Sequence, residues 1–227
     1  MIVSHKHKFI FIKTHKTAGT SLQIALSKHC GEKDIISKLY KGDTIHLLEA
    51  NGKDFQNTSV PLLKYNRRDW FQYLFRSRKQ HFTEHNAISY LKRWLGNEVW
   101  NNYYKFCVER DPFEKIVSYY YWRTRDIKMS FDTFLDKHLY GLSDFHIYSD
   151  NQIVGVDKVY KYGDLDNVIA KLEHKFNFDI DMENIKAKST YSPKNNKLDK
   201  ANMTDKQKTM ILNEFSNEIE HFYPQYL

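Results

Sequence analysis

The sequence predicts an α/β fold, a central parallel sheet flanked by helices. Three observations lead there. Short apolar runs at residues 9–12, 103–108 and 156–162 have the length and composition of buried strands. Each is followed by apolar residues at helical spacing. Strands that alternate with helices imply parallel pairing with both faces of the sheet covered. The chain has 227 residues, enough for a sizeable core, and reads as one domain over 1–227.

In chain order, Phe9-Ile10-Phe11-Ile12 ends in Lys13, and the loop Thr14-His15-Lys16-Thr17-Ala18-Gly19-Thr20-Ser21 leads into a helical pattern at Leu22, Ala25 and Leu26. That helix is expected to stop near Cys30, with Gly31 just beyond it. Residues 32–60 are polar, with Gly42-Asp43 as a turn signal. Residues 64–81 interleave Lys64, Arg67, Arg68, Arg76, Arg78, Lys79 and His81 with Tyr65, Trp70, Phe71, Tyr73 and Phe75. The simpler reading is an amphipathic helix with a solvated basic face. The sharper one is an acceptor surface, with aromatics for sugar rings and arginines for carboxylates or sulfates.

Thr83 is expected to cap a helix through Ala87, Ile88, Leu91 and Leu95 that stops at Gly96. Asp111 caps, and Pro112 begins, a helix through Phe113, Ile116, Val117 and Tyr120. Ser130 caps another through Phe131, Phe134 and Leu135, and Gly163-Asp164 opens one through Leu165, Val168, Ile169 and Leu172. Residues 186–203 read as loop. Thr204 and Gln207 form a capping box before a last helix through Met210, Ile211, Phe215 and Ile219.

Hydrophobic residues make up 41% of the chain and aromatics 15%, which excludes a disordered class. The two cysteines, Cys30 and Cys107, make no disulfide framework. No apolar run reaches the length of a membrane span, and the one after the basic residues His5 to Lys8 is too short for a secretion signal. A soluble, cytoplasmic protein is the expectation. The net charge of +7 is compatible with nucleic acid, acidic glycans, anionic membranes or a polyanionic cofactor, and does not choose among them. His5-Lys6-His7 has no matching ligand cluster, so no metal site is expected.

A loop entering a helix N-terminus offers backbone N–H groups and the positive end of the helix dipole to an anion. Ala18 and Gly19 let the backbone come close, Lys16 adds a charge, and Thr17, Thr20 and Ser21 add hydroxyls. The spacing differs from a nucleoside-triphosphate loop, in which Gly precedes Lys. Lys16-Thr17-Ala18-Gly19-Thr20-Ser21 instead resembles the 5′-phosphosulfate loop of sulfotransferases. A second stretch, Phe106-Cys107-Val108-Glu109-Arg110-Asp111-Pro112, followed by Ser118 eight residues after Arg110, resembles their 3′-phosphate motif. Arg leaving a strand end is a permanently charged planar fork suited to phosphate. Strand ends of this kind are where open α/β sheets bind ligands.

With both motifs in order, the chain resembles sulfotransferases that use 3′-phosphoadenosine 5′-phosphosulfate (PAPS). It is most similar to the glycan-modifying branch, including the heparan sulfate 2-O-sulfotransferases. The resemblance implies a P-loop-like sulfotransferase fold, PAPS as donor, no metal, a glycan or glycolipid acceptor and no nucleic-acid partner. It places cofactor contacts at Lys16 to Ser21, Arg110 and Ser118, and, in a loop before the last helix, at Lys188 and Ser189. Glu218 before Phe222-Tyr223 stands where the family has Asp before Phe-Gly-Tyr.

The resemblance also implies in-line sulfuryl transfer, with Lys16 on the leaving phosphate and a His base ahead of the Arg110 strand. His85 aligns with that base, and His81 and Glu84 are neighbouring alternatives. A cap at Thr83 would set His85 in the first helical turn, where the dipole disfavours imidazolium. Two other classes stay open. A nucleotide or small-molecule kinase would need strand-end carboxylates for Mg²⁺, of which Glu109 is the one candidate. A basic nucleic-acid binder would use residues 64–81 but leaves Arg110 and Ser118 without a role.

Overall fold

A computed structural model describes residues 1–40, 47–49, 54–182 and 198–227. The turn expected at Gly42-Asp43 and the cofactor contacts expected at Lys188 and Ser189 lie outside the described residues. Five strands form one sheet: β1 (Ile2–Ser4), β2 (Phe9–Phe11), β3 (Ile35–Ile36), β4 (Tyr104–Glu109) and, after the small hairpin of β5 (Ser149–Asp150) and β6 (Ile153–Val154), β7 (Lys158–Lys161). Their spatial order is β3-β1-β2-β4-β7.

The expected parallel sheet is its core. β2 pairs with β4 through Phe9↔Tyr104 and Phe11↔Phe106, and β4 with β7 through Val108↔Tyr160. β1 and β3 extend one edge antiparallel, so the whole sheet is mixed. The sequence reading missed both because they are short. β1 is separated from β2 only by the basic turn at His5 to Lys8, where Lys8 takes a positive φ of 54°.

Period-two alternation divides the sheet's side chains between two cores. Phe9, Phe11, Phe106, Val108 and Tyr160 pack with Leu22, Ala25 and Leu26 of the helix Gly19–Ser27, and with Val168 and Leu172 of the helix Leu165–Phe176. Ile10, Ile12 and Cys107 face the other way, onto Ile88, Leu91 and Trp94 of the helix Ile88–Leu95 and onto Phe145 and Tyr148. A third cluster joins Phe113, Ile116 and Val117 of the helix Pro112–Thr124 to Phe134, Ile211, Phe215 and Ile219.

Several helix boundaries follow the expected caps. Asp111 accepts from the backbone N–H groups of Phe113 and Glu114, Ser130 from that of Thr133, and Thr204 and Gln207 form a full capping box. Three boundaries differ. The first helix ends at Ser27, and Gly31 is not in the left-handed conformation. The last expected helix is two, Asp205–Glu214 and Ser216–Phe222, broken at Phe215. Thr83 caps nothing: the helix begins at Ile88 after Ala87, and Thr83 instead donates its N–H to Asn86 Oδ1 at 2.6 Å. His85 therefore sits in the turn before the helix and not in its first turn.

Candidate active site

The loop after β2 and the loop after β4 meet at the C-terminal end of the parallel strands. Thr14 makes the join, donating its hydroxyl to the Val108 carbonyl, with Thr17 Oγ1 3.0 Å away. Arg110 Nη1 donates to the Lys16 carbonyl at 3.3 Å, so the two sequence motifs touch directly. The loop is tightly wound. Lys16 and Ala18 both lie at positive φ, 60° and 56°, a conformation that side-chain-bearing residues seldom adopt. A Cβ on Gly19 would come within 2.8 Å of Lys13 Cγ and 3.3 Å of the Thr14 carbonyl, so the close turn requires glycine here. Ala18, the residue before the first helix, contributes no side-chain cap, and no acid occupies the helix's first turn. That end of the helix is built for an anion.

Arg110 extends over the Tyr162 ring, 4.4 Å from its centroid, and its Nε lies 3.2 Å from Glu114 Oε2. Arg110 and Ser118 line one cavity of about 340 Å³, with Glu114, Tyr121, Lys200 and Tyr226 among its walls. Lys200 lies over the Tyr226 ring at 3.8 Å. It is a cation that sequence reasoning did not single out, because nothing in Leu-Asp-Lys-Ala marks it. Lys16 extends towards Trp122 and Tyr119, its Nζ 5.4 Å and 5.9 Å from their ring centroids. Arg110, Ser118 and Lys200 on one cavity, beside an uncapped helix end, fit a ligand that carries two separated phosphate-type groups. Thr17, Thr20 and Ser21 are buried in the same turn.

His85 lies against the loop's other flank. Its Nδ1 is 2.8 Å from the Lys13 carbonyl, and a carbonyl only accepts, so Nδ1 carries the hydrogen and Nε2 of the neutral ring holds the lone pair. Burial, the neighbouring His15 and the Lys13 charge push its pKa from 6.5 down to about 3, against the Lys13 carbonyl and Asp144. The lowered value was expected from a helix dipole. The cause is instead burial and cationic neighbours. Glu84 forms an ion pair with the buried Lys13; burial would raise its pKa, but Lys13 outweighs that and lowers it. His81 is exposed and pairs through its backbone with Ser59.

Four further residues hold this arrangement. The His15 ring stacks on His85 with centroids 3.6 Å apart and planes at 19°. His15 in turn donates through its backbone N–H and Nδ1 to the two oxygens of Asp144, at 2.7 and 2.6 Å. Asp144 is buried and pairs with Lys115 Nζ at 2.7 Å, and the same Nζ pairs with Glu109 at 2.7 Å. Burial opposes the Lys115 charge, but the two carboxylates prevail and hold its pKa above the usual range. The Asp144 carboxyl is held low by Lys115 and His15 against its own burial, whereas burial pushes Glu109 up to about 7. Glu109 Oε1 also accepts the Arg110 backbone N–H at 2.8 Å. Sequence reasoning gave His15 and Lys115 no role beyond the stretches that contain them and did not name Asp144. A charged residue within a largely apolar helix was the one available signal, and it applied to Lys115 alone.

Glu218, the departure from the family's Asp, is buried. It accepts from the Ser143 hydroxyl at 2.7 Å and the Phe145 N–H at 3.1 Å, which fixes the backbone on both sides of Asp144. Among the described residues no group of three or more His, Cys, Asp and Glu could hold a metal ion, and no helix is long and apolar enough to cross a membrane.

A model of the Sulfotransferase family matches residues 1–225 of the chain. Neither the curated proteins nor the solved structures gave a match.

Two outcomes follow from the buried charges. Lys115→Met strands Glu109 and Asp144 without their cation, and should cost about 3–5 kcal/mol in urea unfolding; a loss under about 1 kcal/mol would show that the pair carries little. The folded His85 binds its proton more weakly than the unfolded chain, so stability is full above pH 6.5 and falls as pH drops towards about 3. His85→Asn should flatten the fall of folding free energy below pH 6.5 by about 1.4 kcal/mol per pH unit, read from melts at successive pH values.

Proposed function

The chain belongs to the sulfotransferase family, and on that premise we propose that it moves a sulfuryl group from PAPS to a carbohydrate hydroxyl, with His85 as the base. The observation that carries this reading is the His85 tautomer. Its Nδ1–H is held by the Lys13 carbonyl, which leaves Nε2 to take the acceptor's proton.

PAPS supplies an electrophilic sulfuryl group on a phosphate leaving group. The adenosine 3′-phosphate falls to Arg110 and Ser118, which share a cavity, and Lys200 adds a third polar wall. Lys16 and the backbone N–H groups of the loop stabilise the charge that grows on the departing phosphate. The acceptor oxygen forms the new bond to sulfur as the sulfur–phosphate-oxygen bond breaks, and the acceptor proton goes to His85. Burial, His15 and the Lys13 charge keep that ring neutral, with its Nε2 lone pair open, until the acceptor docks. His15, stacked on His85 and tied to Asp144, fixes the ring plane. The carbohydrate acceptor rests on the similarity of the two motifs to glycan sulfotransferases.

A kinase is disfavoured by the place of Glu109. It is buried and already paired with Lys115, so it does not offer an open carboxylate for Mg²⁺.

Adenosine 3′,5′-bisphosphate should raise the melting temperature by mass action. Arg110→Ala should weaken its binding by about 1.5–3 kcal/mol, the worth of a hydrogen bond to a charged group. Equal binding by both proteins would remove Arg110 from the 3′-phosphate site.

His85→Ala should lower turnover on heparan-type acceptors by roughly two to four orders of magnitude, while nucleotide binding in the melting assay stays within about twofold. An active His85→Ala enzyme would move the base to another residue.

A further inference from the structure

The helix Arg67–Arg76 is built the wrong way round for a helix that covers its own protein. Asn66 and Asp69 start it with a reciprocal capping box. The residue it buries is polar: Asp69, paired with Arg93 at 2.9 Å. Trp70 and Tyr73 make ring contacts with the buried Tyr65, and that is the extent of its aromatic anchoring. Its solvent side carries large apolar residues between the basic ones. Phe71 is 52% exposed, Leu74 65% and Phe75 74%, and Leu63 in the preceding turn is 98% exposed. Phe71 and Phe75, one turn apart, pack their rings at 4.9 Å with planes tilted by 35° into a small apolar plate. Single exposed hydrophobics need no explanation, but a contiguous set on one helix face marks a docking surface.

The charges around the plate choose its occupant. Lys64, Arg67, Arg68, Arg76, Arg78 and Lys79 are all exposed. Asp69 is the one acid among residues 62–79, and it is spent on Arg93. A second copy of the chain would press like charge against like charge across a shared axis. An anionic glycan would satisfy the arginines and could lay sugar rings on Phe71 and Phe75, but it would leave Leu63 and Leu74 in water. A lipid surface serves both the cations and the apolar side chains, since an apolar layer lies under an anionic plane. We propose that residues 62–79 seat the protein on an anionic membrane surface, with Leu63, Phe71, Leu74 and Phe75 entering the acyl boundary and the six cations at the headgroups.

The same segment continues into the site. From Arg76 the chain passes through backbone hydrogen bonds of Gln80 with Val60 and of Phe82 with Thr58, and reaches Glu84 and His85. A seated segment is therefore tied by paired backbone to the residues around Lys13. The proposal stands apart from the transfer chemistry and is tested without it.

The full chain is sedimented with phosphatidylcholine vesicles, with and without phosphatidylglycerol. The expected result is binding to the anionic vesicles, at least roughly tenfold weaker on phosphatidylcholine alone and weakened by salt. The triple variant Phe71→Ser, Leu74→Ser, Phe75→Ser should lose roughly tenfold or more at unchanged charge, with its melting temperature held, because these side chains face solvent. Arg67→Gln with Arg68→Gln should lose most of the preference for anionic vesicles while keeping the fold. Failure of the wild type to bind anionic vesicles overturns the proposal. So does a triple variant that binds like the wild type, which would make the contact charge alone. A concentration-dependent dimer abolished by the triple variant, without vesicle binding, assigns the face to a second copy. Oligonucleotide binding without vesicle binding assigns it to nucleic acid.

Discussion

One buried ammonium group sets the geometry of the site. Lys115 is fully enclosed between Glu109 and Asp144, 2.7 Å from each. An unpaired charge at that depth would be costly, so the helix Pro112–Thr124, the end of β4 and the segment before Phe145 must approach together or not at all. Each carboxylate also reaches one of the two loops. Glu109 takes the backbone N–H of Arg110 and directs the start of that loop. Asp144 takes both donors of His15 and pins the loop after β2. Two loops far apart in sequence are held in register by a group that need touch neither ligand.

The loop pinned in this way is wound more tightly than its composition favours. Positive φ at Lys16 and Ala18 is a conformation that free peptides avoid, and it persists where surrounding contacts over-determine it. Those contacts are Asp144 on His15, the Val108 carbonyl on Thr14, and Arg110 on the Lys16 carbonyl. The winding sets the Lys16 carbonyl against Arg110, which also lines the cavity that holds Ser118. The same loop supplies the Lys13 carbonyl that fixes the His85 tautomer. Arg110 and His85 are therefore both tied to one short backbone segment.

His85 shows how an expected property can be met on a different physical ground. The expected helix cap at Thr83 would have given it a dipole-lowered pKa. The ring lies outside the helix, and its pKa is lowered by burial, His15 and Lys13. The basic aromatic stretch at residues 64–81 departs from expectation in another way. A helix with a solvated basic face was the simpler reading. The exposed face carries the basic residues and also Phe71, Leu74 and Phe75, because the inward position is taken by the Asp69–Arg93 pair.

By itself the sequence determined the parallel strands of residues 9–12, 103–108 and 156–162, most helix caps, and the two motifs that mark the family. These are local properties: apolar period, cap chemistry and short spacings are read within one or two turns of chain. It could not show β1 and β3, because strands of two or three residues carry almost no periodic signal and exist only through their pairing with β2 and with each other. It gave Lys115, Asp144 and His15 no role, because the buried charge of Lys115 and the loop position of His15 become legible only when Asp144, far along the chain from His15, is in place. Which nitrogen of His85 accepts a proton, which cation joins Arg110, and which way the Arg67–Arg76 helix turns its phenylalanines were decided by tertiary packing. In each case the deciding partner comes from a distant part of the chain, and no local propensity encodes that choice.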